Sequence, residues 1–182
     1  MYTLPYGVEP IIKHIKRFVE RQDKDVIKVW CTFDLPNSEF VKQISNIDGV
    51  EVINSHLLTG QDFYSFEPDF DIIISNPPFK GTTKLYERLI SFGKPFAMIF
   101  NMAKLNDKNP LNIFKLNGRK PQLIIFDNRM VFRNGLTGEI NTKIPFKSGY
   151  LCCDFLEEDI ILETLPSMRE VKKIYDSNAK NI

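Results

Sequence analysis

The feature that most constrains this chain is a short apolar run, residues 70–75 (FDIIIS), that stops at Asn76-Pro77-Pro78-Phe79. Three consecutive isoleucines without polar alternation suit a strand buried on both faces, as in a parallel sheet covered by helices. Two adjacent prolines remove two backbone N–H donors and fix φ, so the strand cannot continue and the loop that follows is rigid. In an open parallel sheet such a loop lies at the carboxyl edge, where ligands bind. The plain alternative is an ordinary Asn-Pro turn, since both residues favour turns.

The rest of the pattern agrees with such a sheet. Ile11, Ile12, Ile15, Phe18 and Val19 share one helical face and Pro10 suits a first turn, which predicts a helix over residues 10–21. Further helices are expected at 39–47, capped by Asn37 or Ser38, at 83–92 and near 111–116. Strands are expected at 26–33, 50–55, 70–75, 95–101, 122–126, 150–155 and 160–164. Alternating strands and helices predict an α/β fold: a mostly parallel central sheet flanked by helices, with an antiparallel C-terminal strand addition. With 182 residues the chain has room for one domain, expected over residues 1–166, followed by a short helix and tail at 167–182 and no separate target-recognition domain.

Charge narrows the function classes. Lys and Arg number 24 against 23 Asp and Glu, so the chain lacks the basic excess of a tail-driven nucleic-acid binder. Residues 80–120 nevertheless carry nine bases and two acids. Lys80, Lys84, Lys104, Lys108, Arg119 and Lys120 are candidate phosphate contacts beside the Asn76 loop; solvated helix faces are the alternative. Cys31, Cys152 and Cys153 have neither a disulfide framework nor zinc spacing, so buried thiols and no metal site are expected. No leader-like segment or apolar run of membrane-span length stands out, and the expectation is a cytoplasmic chain. A loop over residues 135–147, near Thr137-Gly138 and Asn141, is placed to reach over a substrate.

An ordered series of motifs carries a resemblance. It comprises Tyr-x-x-x-Tyr-x-Val-Glu-Pro over residues 2–10, Val29-Trp30-Cys31-Thr32-Phe33-Asp34 with Ser38-Glu39-Phe40, Ser55-His56, Gly60-Gln61-Asp62-Phe63, and Asp71-Ile72-Ile73-Ile74-Ser75-Asn76-Pro77-Pro78-Phe79. The chain resembles class I S-adenosylmethionine-dependent amino methyltransferases, with their (Asn/Asp/Ser)-Pro-Pro-(Tyr/Phe/Trp) motif after the fourth strand. It is most similar to the small phage and prophage proteins of the adenine-N6 DNA methyltransferase group. The resemblance implies a Rossmann-like fold, S-adenosylmethionine as cofactor, DNA as partner and adenine N6 as methyl acceptor.

An exocyclic amine is a poor nucleophile because its lone pair is conjugated with the ring, so the enzyme must favour a pyramidal nitrogen as the methyl arrives in line. The family meets this with two acceptors, the Asn side-chain oxygen and the first Pro carbonyl, which map onto Asn76 and Pro77. Pro78 would keep the loop rigid, and Phe79 would stack on a base that is flipped out or single-stranded. On the cofactor side the resemblance implies Asp34 near the methionine ammonium, Phe33 and Ser38 lining the pocket, and Thr3 and Tyr6 near the methionine carboxylate. His56 stands where an acidic residue normally meets the ribose, and Asp62 and Phe63 where the adenine of the cofactor is held.

The cofactor loop, Phe33-Asp34-Leu35-Pro36-Asn37-Ser38, carries no glycine. Its alternative reading is a capped strand-to-helix turn. His56, and His14 on the first helix, would then be structural, and Asp62-Phe63 a turn followed by a core ring. RNA adenine or a protein glutamine amide would suit the same acceptor geometry. A catalytically silent relative binding nucleic acid or a phage or host protein is the reading from another class. An oligomer or a recognition partner would supply target selection.

Overall fold

The computed structural model describes residues 1–135, 137–141 and 146–178. Residues 136 and 142–145 of the expected substrate loop, and 179–182 of the expected tail, lie outside the described residues. In chain order the elements are β1 (Tyr2–Thr3), α1 (Pro5–Glu20), β2 (Ile27–Cys31), α2 (Glu39–Ile44), β3 (Val50–Asn54), β4 (Ile72–Ser75), α3 (Thr82–Ser91) and β5 (Phe96–Asn101). They continue with α4 (Lys108–Leu116), β6 (Gln122–Phe126), β7 (Phe132–Arg133), β8 (Ile140–Asn141), β9 (Ser148–Cys153), β10 (Ile160–Glu163) and α5 (Met168–Asn178). Among the described residues no helix is long and apolar enough to cross a membrane.

Seven strands form the main sheet in the order β10-β6-β9-β5-β4-β2-β3. Pairing is parallel except where β9 inserts antiparallel between β5 and β6. The expected mostly parallel α/β sheet with an antiparallel C-terminal addition is therefore what forms. Alternate residues of each strand feed opposite layers, as the period-2 geometry requires. Val29, Cys31, Ile72, Ile74, Ala97, Ile99, Tyr150 and Cys152 meet α1 and α2 through Ile11, Ile15, Phe40 and Ile44. Trp30, Ile73, Phe96, Met98, Phe100, Leu151 and Cys153 meet α3 and α4 through Leu85, Tyr86, Leu89, Ile113 and Phe114. The three cysteines are buried free thiols.

The first helix starts earlier than its apolar spacing predicts. It begins at Pro5, leaving Pro10 inside rather than in the first turn. Tertiary bonds hold this early segment: Tyr150 Oη donates to the Gly7 carbonyl at 2.7 Å, and Tyr6 Oη accepts from Val131 N at 2.7 Å. A second sheet, β1-β7-β8, is antiparallel throughout. Its strands of two residues each are too short to leave a periodic signal, and none was expected from the sequence.

Gln122 ties the end of β9 to the start of β6. Its Oε1 accepts from Phe155 N and Leu156 N, both at 2.9 Å, and its Nε2 donates to the Leu156 carbonyl at 2.9 Å. All three bonds are buried. Replacing Gln122 by Leu leaves two buried N–H groups and one carbonyl unpaired, and should destabilise the chain by about 2–4 kcal/mol. Urea unfolding should show this as a lower midpoint with an unchanged slope.

Candidate active site

The chain order creates a crevice. From β2 it crosses to β3 on one side and then returns to β4 on the other, so the loops leaving β2 and β4 diverge at their carboxyl ends. Such a switch point is where open α/β sheets receive ligands.

Two buried side chains join the walls of this crevice. Ser75, the last residue of β4, donates from Oγ to Asp34 Oδ2 at 2.5 Å and accepts from Phe33 N at 3.1 Å. Asp34 N in turn donates to the Ser55 carbonyl at 3.0 Å, which brings in the end of β3. Ser38 caps α2 by accepting from Val41 N at 3.2 Å, and its hydroxyl also supports the Asp34 carboxylate. Burial pushes the Asp34 carboxyl up to about 6, against the pull of the Ser75 and Ser38 hydroxyls. Thr32 Oγ1, on the same loop, is buried with no hydrogen-bond partner among the described residues.

The second group centres on Asn76. Its Nδ2 donates to the Met1 carbonyl at 3.3 Å and to Thr3 Oγ1 at 3.1 Å. A main-chain carbonyl only accepts, so this contact fixes which end of the amide is nitrogen. Asn76 Oδ1 is left buried with no partner among the described residues. Pro77 is buried and Pro78 exposed. The half-buried Phe79 ring meets Phe146 and Phe132 edge-on, with centroids 4.8 and 5.8 Å away. Lys104 Nζ donates to the Phe79 carbonyl at 3.3 Å.

Not every residue singled out from the sequence joins these groups. Asp34, Phe33, Ser38 and His56 line the carboxyl ends of β2 and β3, and Thr3 reaches Asn76 rather than standing apart from it. His56 Nδ1 accepts from Leu58 N at 3.0 Å and starts the turn Leu57–Thr59; burial lowers its affinity for a proton. Asp62 Oδ1 accepts from Tyr64 N at 3.1 Å, forming a local turn. Phe63 is buried between Trp30, Phe33 and Phe92, with the Arg88 guanidinium 5.4 Å from its ring centre. Tyr6 is buried with its hydroxyl engaged by Val131 N, and burial pushes it up to about 12. His14 is buried against Glu163 at 3.1 Å, joining α1 to β10.

The bases of residues 80–120 divide by location. Lys80 and Lys84 follow β4 and are exposed, Lys104 follows β5, and Lys108 opens α4, whose Asn109 reaches Thr83 Oγ1 at 3.5 Å. These four share the carboxyl side with Asn76. Arg119 and Lys120 precede β6, at the opposite edge, where Arg119 pairs with Asp154. Arg88 and Lys94 lie over phenylalanine rings and bond to main-chain carbonyls. Sequence reasoning missed Ser75, although a lone polar residue ending a buried isoleucine run was a usable signal. It also missed Phe132 and Phe146, which are remote in sequence from Phe79.

No known protein family and no curated protein matches the chain. Among solved structures it is similar to a protein-(glutamine-N5) methyltransferase (release factor-specific) from Alicyclobacillus acidocaldarius, at 11% identity and a TM-score of 0.40, covering 82% of this chain and 92% of that one. It is also similar to a predicted O-methyltransferase from Agrobacterium tumefaciens, at 10% identity and a TM-score of 0.43, covering 83% of each chain. A precorrin-6y C5,15-methyltransferase from Geobacter metallireducens aligns at 8% identity and a TM-score of 0.40, over 79% of this chain and 86% of that one.

The position of Asp34 has a measurable consequence. A carboxyl raised to about 6 binds its proton more tightly in the folded chain than in the unfolded one. Its contribution to stability is therefore present at low pH and lost as pH rises from about 4 through about 6. Asp34→Asn should remove that loss. Relative to the parent, the variant should gain on the order of 2–3 kcal/mol between pH 4 and pH 7.5 in urea unfolding.

Proposed function

We propose that this chain transfers a methyl group from S-adenosylmethionine to an exocyclic amine, adenine N6 in DNA. The observation that carries the reading is the Asn76 amide at the switch point: its nitrogen is held by the Met1 carbonyl and the Thr3 hydroxyl, and its buried oxygen has no donor among the described residues. A buried acceptor without a partner costs about 1–3 kcal/mol, a penalty that an incoming N–H removes. An amine or amide substrate brings such a donor, and an ether, thioether or carboxylate does not.

The carboxyl ends of β2 and β3 suit the cofactor in their donor and acceptor chemistry. Asp34 offers an anionic group to an ammonium, the half-buried Phe33 an apolar wall, and Thr32 Oγ1 a hydroxyl in need of a partner. His56 adds an imidazole at the end of β3. When bound, S-adenosylmethionine supplies a methyl group made electrophilic by its sulfonium. Asn76 Oδ1 and the Pro77 carbonyl would accept the two amine hydrogens and draw the nitrogen lone pair out of conjugation. The new N–C bond forms as the S–C bond breaks, the sulfur leaves as a neutral thioether, and the nitrogen releases one proton to water. Two preorganised acceptors suffice, and no strong base is required.

Phe79 would stack on the base, and the edge-on rings of Phe132 and Phe146 support it from the side. Lys80, Lys84 and Lys108 on the same side favour a nucleic acid over a peptide amide, because they supply phosphate contacts next to the methylated base. Arg119 and Lys120 have no part in that surface.

The test is to incubate the protein with methyl-labelled S-adenosylmethionine and, separately, duplex DNA, single-stranded RNA and a glutamine peptide. The DNA arm should yield N6-methyladenine on nucleoside mass spectrometry. Label in the peptide alone would assign a glutamine amide instead, and label in none of the three would contradict the reading. Asn76→Ala should lower kcat on the order of 10²–10³-fold, with cofactor affinity within about threefold of the parent by calorimetry. Lys84→Glu with Lys108→Glu should weaken DNA binding and flatten its salt dependence by about two phosphates' worth of slope. Lys120→Glu should leave both unchanged.

A further inference from the structure

We infer that Thr3 is a positioning residue for the methyl-transfer step, acting through Asn76 and making no cofactor contact. The inference rests on the proposed role of the Asn76 oxygen and deepens it. A side-chain amide at the end of a loop rotates freely unless something holds it, and only one of its two orientations presents the oxygen to a substrate amine. Here both Nδ2 contacts come from the first residues of the chain: the Met1 carbonyl at 3.3 Å and Thr3 Oγ1 at 3.1 Å.

The Thr3 side chain is itself fixed on its other side. An added Cβ at Gly7 would stand 2.9 Å from Thr3 Cγ2, closer than a side chain tolerates, so the bare glycine is what admits the threonine methyl. With the methyl against Gly7, the hydroxyl is left for Asn76. The backbone is held too, because Thr3 pairs with Phe132 in the β1–β7 ladder. Phe132 also abuts Phe79 at 5.8 Å. The small sheet therefore grips the Asn76 loop at two points, the amide through Thr3 and the aromatic ring through Phe132. Thr3 is buried, and its hydroxyl is spent on Asn76 rather than facing a ligand.

The discriminating variants are Thr3→Val, which keeps the shape and the Gly7 contact but removes the hydroxyl, and Thr3→Ser, which keeps the hydroxyl. With methyl-labelled S-adenosylmethionine and duplex DNA, Thr3→Val should lower kcat on the order of 5–10-fold, the worth of one hydrogen bond. Its KM for DNA and its Kd for S-adenosylmethionine should stay within twofold. Thr3→Ser should restore kcat, and in an Asn76→Ala background Thr3→Val should have no further effect. Gly7→Ala, which displaces the Thr3 methyl, should act in the same direction as Thr3→Val.

A parent-like kcat in Thr3→Val, with Asn76→Ala inactive, would overturn the positioning role and leave the proposed function standing. Weaker cofactor binding with unchanged kcat at saturation would overturn it by making Thr3 a cofactor contact. An inactive parent would instead sink the proposed function. The Asn76 side-chain N–H signals then decide the positioning role: in Thr3→Val they should shift and exchange faster with solvent, and unchanged signals would overturn it.

Discussion

The hydrogen bond between Ser75 and Asp34 joins the carboxyl ends of the neighbouring strands β4 and β2, at the point where the chain has gone from β2 to β3 on one side and returned to β4 on the other. The carboxyl ends of β2 and β4 would otherwise be held together only by the ladder behind them, where the loops begin to diverge. With Ser75 Oγ also accepting from Phe33 N, one buried hydroxyl aligns the loop after β2 with the start of the Asn76 loop. The cost appears at Asp34, a carboxyl kept from water and raised to about 6. Such a group adds little to stability near neutrality, and its place at a switch point fits a ligand-binding role.

Asn76 carries a similar cost. Its nitrogen has two acceptors and its oxygen has no partner among the described residues, although folded chains leave few buried acceptors unpaired. The two ends of the amide thus do different work. One end is spent on Met1 and Thr3, and in the proposed reaction the other, without a donor among the described residues, receives the substrate amine. Pro77 and Pro78 offer that oxygen no backbone N–H, since proline has none. In the proposed reaction the deficit is removed when a substrate amine arrives, so part of the binding energy is already stored in the folded chain.

Much of this architecture is legible in the sequence, for physical reasons that differ by element. The strands of the main sheet show because burial on both faces forces continuous apolar runs such as Ile72–Ile74, and the Asn76-Pro77-Pro78-Phe79 loop shows because two prolines end a strand on their own. The three short strands β1, β7 and β8 do not show, since two residues carry no period. The early start of α1 is set by the Tyr150–Gly7 and Tyr6–Val131 bonds, which join residues more than a hundred positions apart. The same is true of the basic stretch. Its nine bases fall within one stretch of sequence, yet the strand directions send Lys80, Lys84 and Lys108 to one edge and Arg119 and Lys120 to the other. Phe63 and Tyr6, read by motif as cofactor contacts, are placed by the fold among core rings and on a main-chain N–H.

In the proposed reaction the Asn76 oxygen, which has no partner among the described residues, receives the substrate amine. A crystal structure of the protein with S-adenosylhomocysteine and a short adenine-containing oligonucleotide tests it most directly. That structure should show an extrahelical adenine with N6 about 2.7–3.2 Å from Asn76 Oδ1, the Nδ2 contacts to Met1 and Thr3 retained, and the ring against Phe79. An adenine bound elsewhere, or an Asn76 oxygen still without a donor in a loaded site, would contradict it.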